Sequence, residues 1–92
     1  MIKINKKQLK LLEGLAYWIA DTNYIKERYG SNDPELKKCN DTIIDLFDDL
    51  DGAGVPFMVQ NNIICWAEIW RNYKKEHTSD FLKRKGYILL NE

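Results

Sequence analysis

The sequence predicts a small all-α fold, and two kinds of pattern support this prediction. Apolar side chains recur at the three- and four-residue spacing of helices over long stretches of the chain. Capping residues, prolines and glycines separate these stretches at short intervals. Residues 1–92 are predicted to form a single helical-bundle domain. It has three main helices at about 6–29, 34–51 and 56–77, a short fourth helical segment and an extended C-terminal tail.

The first helix is predicted to begin after Asn5. Asn5 and Gln8 have the spacing of a capping box, in which each side chain bonds the other residue's backbone N–H. Gly30 is expected to end the helix, because glycine readily adopts the left-handed conformation. The predicted core face comprises Leu11, Leu12, Leu15, Trp18, Ile19, Ile25 and Tyr29. Tyr17 and Tyr24 form a second, weaker stripe, interpreted either as the edge of the core or as a binding surface.

The second helix is predicted to begin at Pro34, with Asp33 as its N-cap. Gly52 is expected to end it. Its apolar face comprises Leu36, Cys39, Ile43, Leu46, Phe47 and Leu50. Both cysteines, Cys39 and Cys65, are expected to be buried, reduced thiols of an intracellular protein.

The third helix, starting at Pro56, is the most apolar segment. Its apolar side chains spread over an arc of about 160°, wider than the roughly 100° stripe of an ordinary surface helix, so we expect it to touch more than one surface. The arc comprises Met58, Val59, Ile63, Cys65, Trp66, Ile69, Trp70 and Tyr73. Asn62 lies inside this arc, whereas Gln60 falls on the opposite, polar side. The amide of Asn62 must find a partner, either a carbonyl or tyrosine hydroxyl of this chain or a second copy.

The C-terminal part is predicted to form a short helix from about Asp80 to Lys85, closed by Gly86. A break is expected near Thr78, because an unbroken helix over 56–85 would be about 45 Å long and would overhang its neighbours. The apolar tail after Gly86 is too short for a helix. It either folds back over the helices or pairs with residues 2–4 as a two-stranded patch.

The charge balance excludes a global electrostatic function. Fourteen basic and fourteen acidic residues cancel, so no overall field draws the chain to nucleic acid or to an anionic membrane. No apolar run has the length of a signal sequence or a membrane span. We therefore expect a cytoplasmic protein with no membrane partner.

An acidic face on the second helix is the first candidate protein-binding surface. It comprises Asp41, Asp45, Asp48 and Asp49, and Asp51 follows it. These like charges repel one another, and they crowd the helix end at which the dipole disfavours acids. A pattern that costs stability suggests a function, here the docking of a basic partner protein. The alternative is a solvated face that only promotes solubility.

The aromatic third helix is the second candidate, through Asn62, Trp66, Trp70 and Tyr73. These residues belong either to the core or to an interface with another protein, including a homodimer. Nucleic acid is a less favoured partner, because the chain has only three arginines and acidic residues interrupt the basic C-terminal part. The basic residues concerned are Lys74, Lys75, Lys83, Arg84 and Lys85.

The sequence contains few groups suited to catalysis. His77 is the only histidine, and neither a nucleophile elbow nor a phosphate-binding loop is present. The one stretch that resembles a calcium loop has Phe47 and Met58 at its first and last ligand positions. We expect no catalytic residue, no cofactor and no metal site.

The runs 55–61, 66–68 and 70–73 resemble a segment of short uncharacterised helical proteins of bacterial phages and mobile elements. The resemblance covers about a quarter of the chain and implies no fold, activity or site residue. It implies a phage- or plasmid-encoded accessory protein that binds a host or phage protein. The predicted function is therefore a non-enzymatic protein-interaction module, with a small nucleic-acid-associated regulator as the alternative.

Overall fold

The computed structural model describes residues 2–90, which form five helices and two short strands. Their order is β1 (Lys3–Ile4), α1 (Lys6–Tyr29), α2 (Glu35–Gly52), α3 (Phe57–Ala67), α4 (Trp70–Lys75), α5 (Thr78–Arg84) and β2 (Ile88–Leu89). The predicted all-α class is confirmed, since the strands contain only two residues each. None of the helices within residues 2–90 has the length and apolar character needed to cross a membrane.

The central element is α1, which packs against each of the other four helices. The predicted capping box is present: the Gln8 N–H donates to Asn5 Oδ1 over 2.8 Å, and the Asn5 N–H donates to Gln8 Oε1 over 2.9 Å. Gly30 follows the helix with a φ of 90°. Tyr29, predicted for the core face, is instead exposed, and Ile25, one turn earlier on the same face, is only half-buried.

The predicted apolar face of α2 is confirmed, with Leu36, Cys39, Ile43 and Leu50 buried. Asp33 caps the start of the helix by accepting the Glu35 N–H over 2.9 Å. At the other end the helix includes Gly52. The left-handed residue that turns the chain is Gly54, with a φ of 76°.

The third predicted helix is broken into α3 and α4, so the expectation of one helix over 56–77 was wrong. The backbone leaves the helical conformation at Ile69, whose ψ is 94°. The break lets the two halves of the wide apolar arc face different neighbours. Trp66 of α3 stacks on Phe81 of α5, with ring centroids 4.5 Å apart, whereas Trp70 of α4 packs against Tyr24 of α1. A second interruption, at residues 76–77, lies beside the position expected for the break.

The buried side of α3 also differs from the prediction. Gln60, assigned to the polar side, is only 2% exposed. Its amide donates to Asp51 Oδ1 and to the Val55 carbonyl oxygen, both over 3.0 Å, so its burial is compensated by hydrogen bonds. Three residues predicted for the arc's buried side are exposed instead, namely Met58, Cys65 and Ile69. Both acceptors lie at the end of α2 or in the turn that follows it, which local periodicity within α3 does not report.

The two ends of the described chain meet in a small parallel sheet. Lys3 lies opposite Ile88, and Ile4 lies opposite Leu89. Of the two arrangements predicted for the tail, residues 88–89 therefore adopt the paired one, as a strand beside β1. Ile4 is 2% exposed and joins the hydrophobic core, so β1 also closes one end of that core.

Candidate functional site

An open groove of about 510 Å³ runs between α1 and α4, and we call it the aromatic groove. It is lined by Tyr17, Ala20, Asp21, Tyr24, Arg28, Trp70, Tyr73 and Lys74. It unites two features that the sequence suggested separately, the tyrosine stripe of the first helix and the last two aromatic residues of the predicted third helix. The break before α4 is what brings them together.

The α1 side of the groove is a single row of side chains. Tyr17, Asp21, Tyr24 and Arg28 are spaced by four, three and four residues, so they lie along one face of the helix. Ala20 is buried beside this row, and its small side chain leaves room for α4. The row therefore presents alternating aromatic and charged groups along the length of the groove.

The α4 side is held in place by one carboxylate of α1. Glu27 accepts hydrogen bonds from Trp70 Nε1 over 2.5 Å and from the Arg71 guanidinium over 2.8 Å. The guanidinium carbon of Arg71 also lies 4.7 Å from the centre of the Trp70 ring. The edge-to-face contact between Tyr24 and Trp70, at 5.0 Å, completes the junction. These contacts fix the orientation of α4 relative to α1.

Two ionisable groups at the groove have altered pKa values. The hydrogen bonds from Trp70 and Arg71 hold the pKa of Glu27 below its usual range. Partial burial, together with nearby Tyr17 and Glu13, raises the pKa of Tyr73. The Tyr73 phenol thus keeps its proton at neutral pH and can donate a hydrogen bond.

Several polar groups of the groove are not used by the fold. No hydrogen bond joins the hydroxyls of Tyr17, Tyr24 or Tyr73 to another residue in the described part of the chain. Within the same residues, Arg28 and Lys74 form no ion pair. In contrast, the Asp21 carboxylate lies 4.0 Å from the Cys39 thiol, which donates to it. The groove lining therefore offers three hydroxyls and, with the Asp21 carboxylate set against Arg28 and Lys74, an excess of one positive charge.

The other two residues predicted for the aromatic site serve the fold. The Asn62 amide donates to the Tyr87 hydroxyl, so its hydrogen-bond partner lies within the chain. Trp66 is 6% exposed and lies in the core against Phe81. The four predicted residues therefore divide into Asn62 and Trp66, which contact the C-terminal part of the chain, and a groove pair, Trp70 and Tyr73.

The acidic face of α2 is on the surface, as the sequence predicts. Asp41, Asp45, Asp48 and Asp49 are all exposed. No ion pair between residues 2 and 90 involves any of them. Ile44 flanks this face and is 58% exposed, so the surface combines negative charge with one large apolar side chain.

The predicted basic residues lie on two separate helices. Lys74 lines the aromatic groove, and Lys75 is exposed beside it on α4. At the end of α5, Lys83 and Lys85 are exposed. Arg84 is different, because its guanidinium donates to both carboxylate oxygens of Glu76, over 3.0 and 2.9 Å, and this lowers the pKa of Glu76.

Comparison with known proteins identifies no relative: no family model, curated protein or solved structure matches the chain. Among residues 2–90, no three His, Cys, Asp or Glu side chains are placed to hold a metal ion. Sequence reasoning missed Asp21 and Arg28 as groove residues. Their spacing from Tyr17 and Tyr24 is the signal that could have identified them.

Proposed function

We propose that this chain is a non-enzymatic protein-interaction module, an accessory or regulatory protein that binds its partner in the aromatic groove. One observation carries the proposal: aromatic side chains from two helices converge on an open groove that the fold itself leaves unfilled. Tyrosine, tryptophan and arginine are the residue types that contribute most to protein interfaces. The groove contains all three.

Tyr17 supports the proposal most directly. It is 49% exposed, although a tyrosine ring at the edge of a core can be covered by neighbouring side chains. Tyrosine and tryptophan provide a large contact area while losing little conformational entropy on binding. The contacts of Glu27 hold the α4 side in place beforehand, so binding does not have to order it.

The acidic face of α2 is a second contact surface in this proposal. Its exposed aspartates have no basic partner within the described residues, so they complement a basic segment of a partner protein. Complementary charge of this kind speeds association and orients the encounter more than it adds affinity. The aromatic groove then provides the short-range contacts.

Affinity capture from a lysate of the source cells tests the proposal with a matched pair of double variants. The groove variant is Tyr17→Ala with Lys74→Ala. The control is Tyr29→Ala with Lys75→Ala, which removes the same side chains from exposed positions outside the groove lining. We expect the groove variant to lose the partner and the control to keep it. A groove variant that folds and captures the partner as well as the control does would contradict the proposal.

A nucleic-acid-associated regulator is the second candidate function. It is favoured by Lys74 beside the aromatic rings and by the exposed Lys83 and Lys85. Such a regulator binds a labelled oligonucleotide with an affinity that falls steeply with salt and that is lost in Lys83→Ala with Lys85→Ala. The interaction module proposed here should show no such binding at low salt.

A homodimer is a further arrangement that the sequence leaves open. Asn62 gives no support to it, since its amide is satisfied by Tyr87. The homodimer stays a prediction, which a solution mass near twice 10.9 kDa would support.

A further inference from the structure

We propose that the occupant of the aromatic groove is an acidic, proline-rich segment of the partner protein in the polyproline II conformation. This inference rests on the proposed function and names the chemical class of the ligand. It depends on the spacing of the groove's tyrosines, on its unused hydroxyls and on the excess of one positive charge in its lining.

The spacing of the two tyrosines on α1 matches the repeat of a polyproline II helix. Tyr17 and Tyr24 are seven residues apart on one face of α1, or about 10.5 Å along its axis. A polyproline II helix has three residues per turn and rises about 9.3 Å per turn. The two rings therefore contact residues that are three apart in the ligand, which lie on the same face of its helix.

The polar groups of the groove suit the backbone of such a segment. A polyproline II helix makes no internal hydrogen bonds, so its carbonyl oxygens need donors from outside. The free hydroxyls of Tyr17, Tyr24 and Tyr73 can supply them. Because this ligand conformation is largely formed before binding, the entropy lost on binding is small.

The charges of the groove indicate that the ligand carries acidic residues. Arg28 lies four residues beyond Tyr24, about 6 Å further along the groove, and Lys74 lies on the opposite side. Neither forms an ion pair within residues 2–90, and with Asp21 as the one carboxylate of the lining the groove has an excess of one positive charge. A carboxylate in the ligand would complement the excess positive charge. Acidic residues next to the proline contacts are therefore part of the proposed motif.

A titration of the isotope-labelled protein with synthetic peptides tests the inference. The probe is a peptide of three Glu-Pro-Pro triplets, and the controls are three Glu-Ala-Ala triplets, three Lys-Pro-Pro triplets and an oligothymidylate. We expect the Glu-Pro-Pro peptide to shift the NMR signals of Tyr17, Tyr24 and the Trp70 indole, but not those of Tyr29. Each control should bind at least about tenfold more weakly, a difference of roughly 1.4 kcal/mol.

Two single variants add a test of the charges. Arg28→Ala and Lys74→Ala should each weaken the binding of the Glu-Pro-Pro peptide several-fold, whereas Tyr29→Ala should leave that binding unchanged. Equal binding of the proline and alanine peptides, stronger binding of the lysine peptide, or binding of the oligothymidylate alone would overturn the inference.

The outcomes separate this inference from the proposed function. If the groove double variant loses the partner but no proline-rich peptide binds, only the identity of the occupant is wrong. If the groove double variant keeps the partner, the groove is not the binding site, and both proposals are overturned.

Discussion

Gln60 illustrates how one buried amide can stabilise a junction between helices. Its two hydrogen bonds, to Asp51 and to the Val55 carbonyl, tie α3 to the end of α2. We predict that Gln60→Ala lowers the free energy of unfolding by about 1–3 kcal/mol, because it leaves the Val55 carbonyl without this donor. Urea denaturation measures the change. Asn61→Ala, at the exposed neighbouring position, should stay within about 0.5 kcal/mol of the wild type, and equal losses would contradict this role.

Glu27 gives a second prediction for a single residue, which concerns the pH dependence of its contact with Trp70. Its pKa in the folded chain lies below the ordinary value of 4.5, owing to the hydrogen bonds from Trp70 and Arg71. The carboxylate therefore adds to stability above the unfolded pKa, and this contribution is lost as the pH falls through the lower, folded pKa. We predict that the Trp70 indole N–H signal shifts in an acid titration with a midpoint below 4.5.

Two variants check the assignment of that titration to Glu27. Glu27→Gln should abolish the transition of the Trp70 signal. Glu76→Gln should leave it unchanged, because Glu76 pairs with Arg84 instead. A midpoint at or above 4.5 in the wild type would show that the contacts of Glu27 do not favour its charged form.

Burial of single residues could be predicted where apolar periodicity decides it, as for Leu12, Leu15 and Leu50. It could not be predicted for Gln60 and Asn62. Both are amides on the same helix, and which one is buried depends on where the α2–α3 turn and the tail tyrosine lie. Those contacts are between residues distant in sequence, and local patterns do not report them.

At the scale of elements, the acidic face of α2 gives a prediction that separates charge from fold. We predict that Asp41→Lys, Asp45→Lys and Asp48→Lys together weaken or abolish partner binding. The fold should remain, because all three positions are exposed. Binding assays with circular dichroism measure both effects.

The control for this variant carries the same change in charge at other exposed positions. It is Glu35→Lys with Glu68→Lys and Asp80→Lys. Equal loss of binding in both triple variants would point to net charge alone. If the α2 variant retains partner binding, the acidic face does not contact the partner and only promotes solubility.

Helix ends were predictable because their causes are local. Asn5, Asp33 and Gly86 act within a few residues of their own positions, and each has the predicted role. The break at Ile69 has no glycine or proline to signal it. The residues that follow it contact Glu27, more than 40 residues earlier in the chain, and local sequence patterns do not report such contacts.

For the whole molecule, the all-α class followed from the sequence, but the candidate site did so only in part. Trp70, Tyr73 and the tyrosine stripe were recognised as candidates, whereas the groove itself was not. A groove between two helices depends on how they pack, and the break at Ile69 determines that packing here. The proposed function therefore depends on the aromatic groove, which helical periodicity alone did not predict.

Site-specific photo-crosslinking tests the central claim, that a partner protein binds in the aromatic groove, most directly. A photoreactive phenylalanine analogue replaces Tyr17 in one form of the protein and Tyr29 in another, both of them exposed tyrosines of α1. After irradiation in the source cells, we predict a discrete protein adduct from position 17 and none from position 29. No adduct from position 17, or the same adducts from both positions, would contradict the claim.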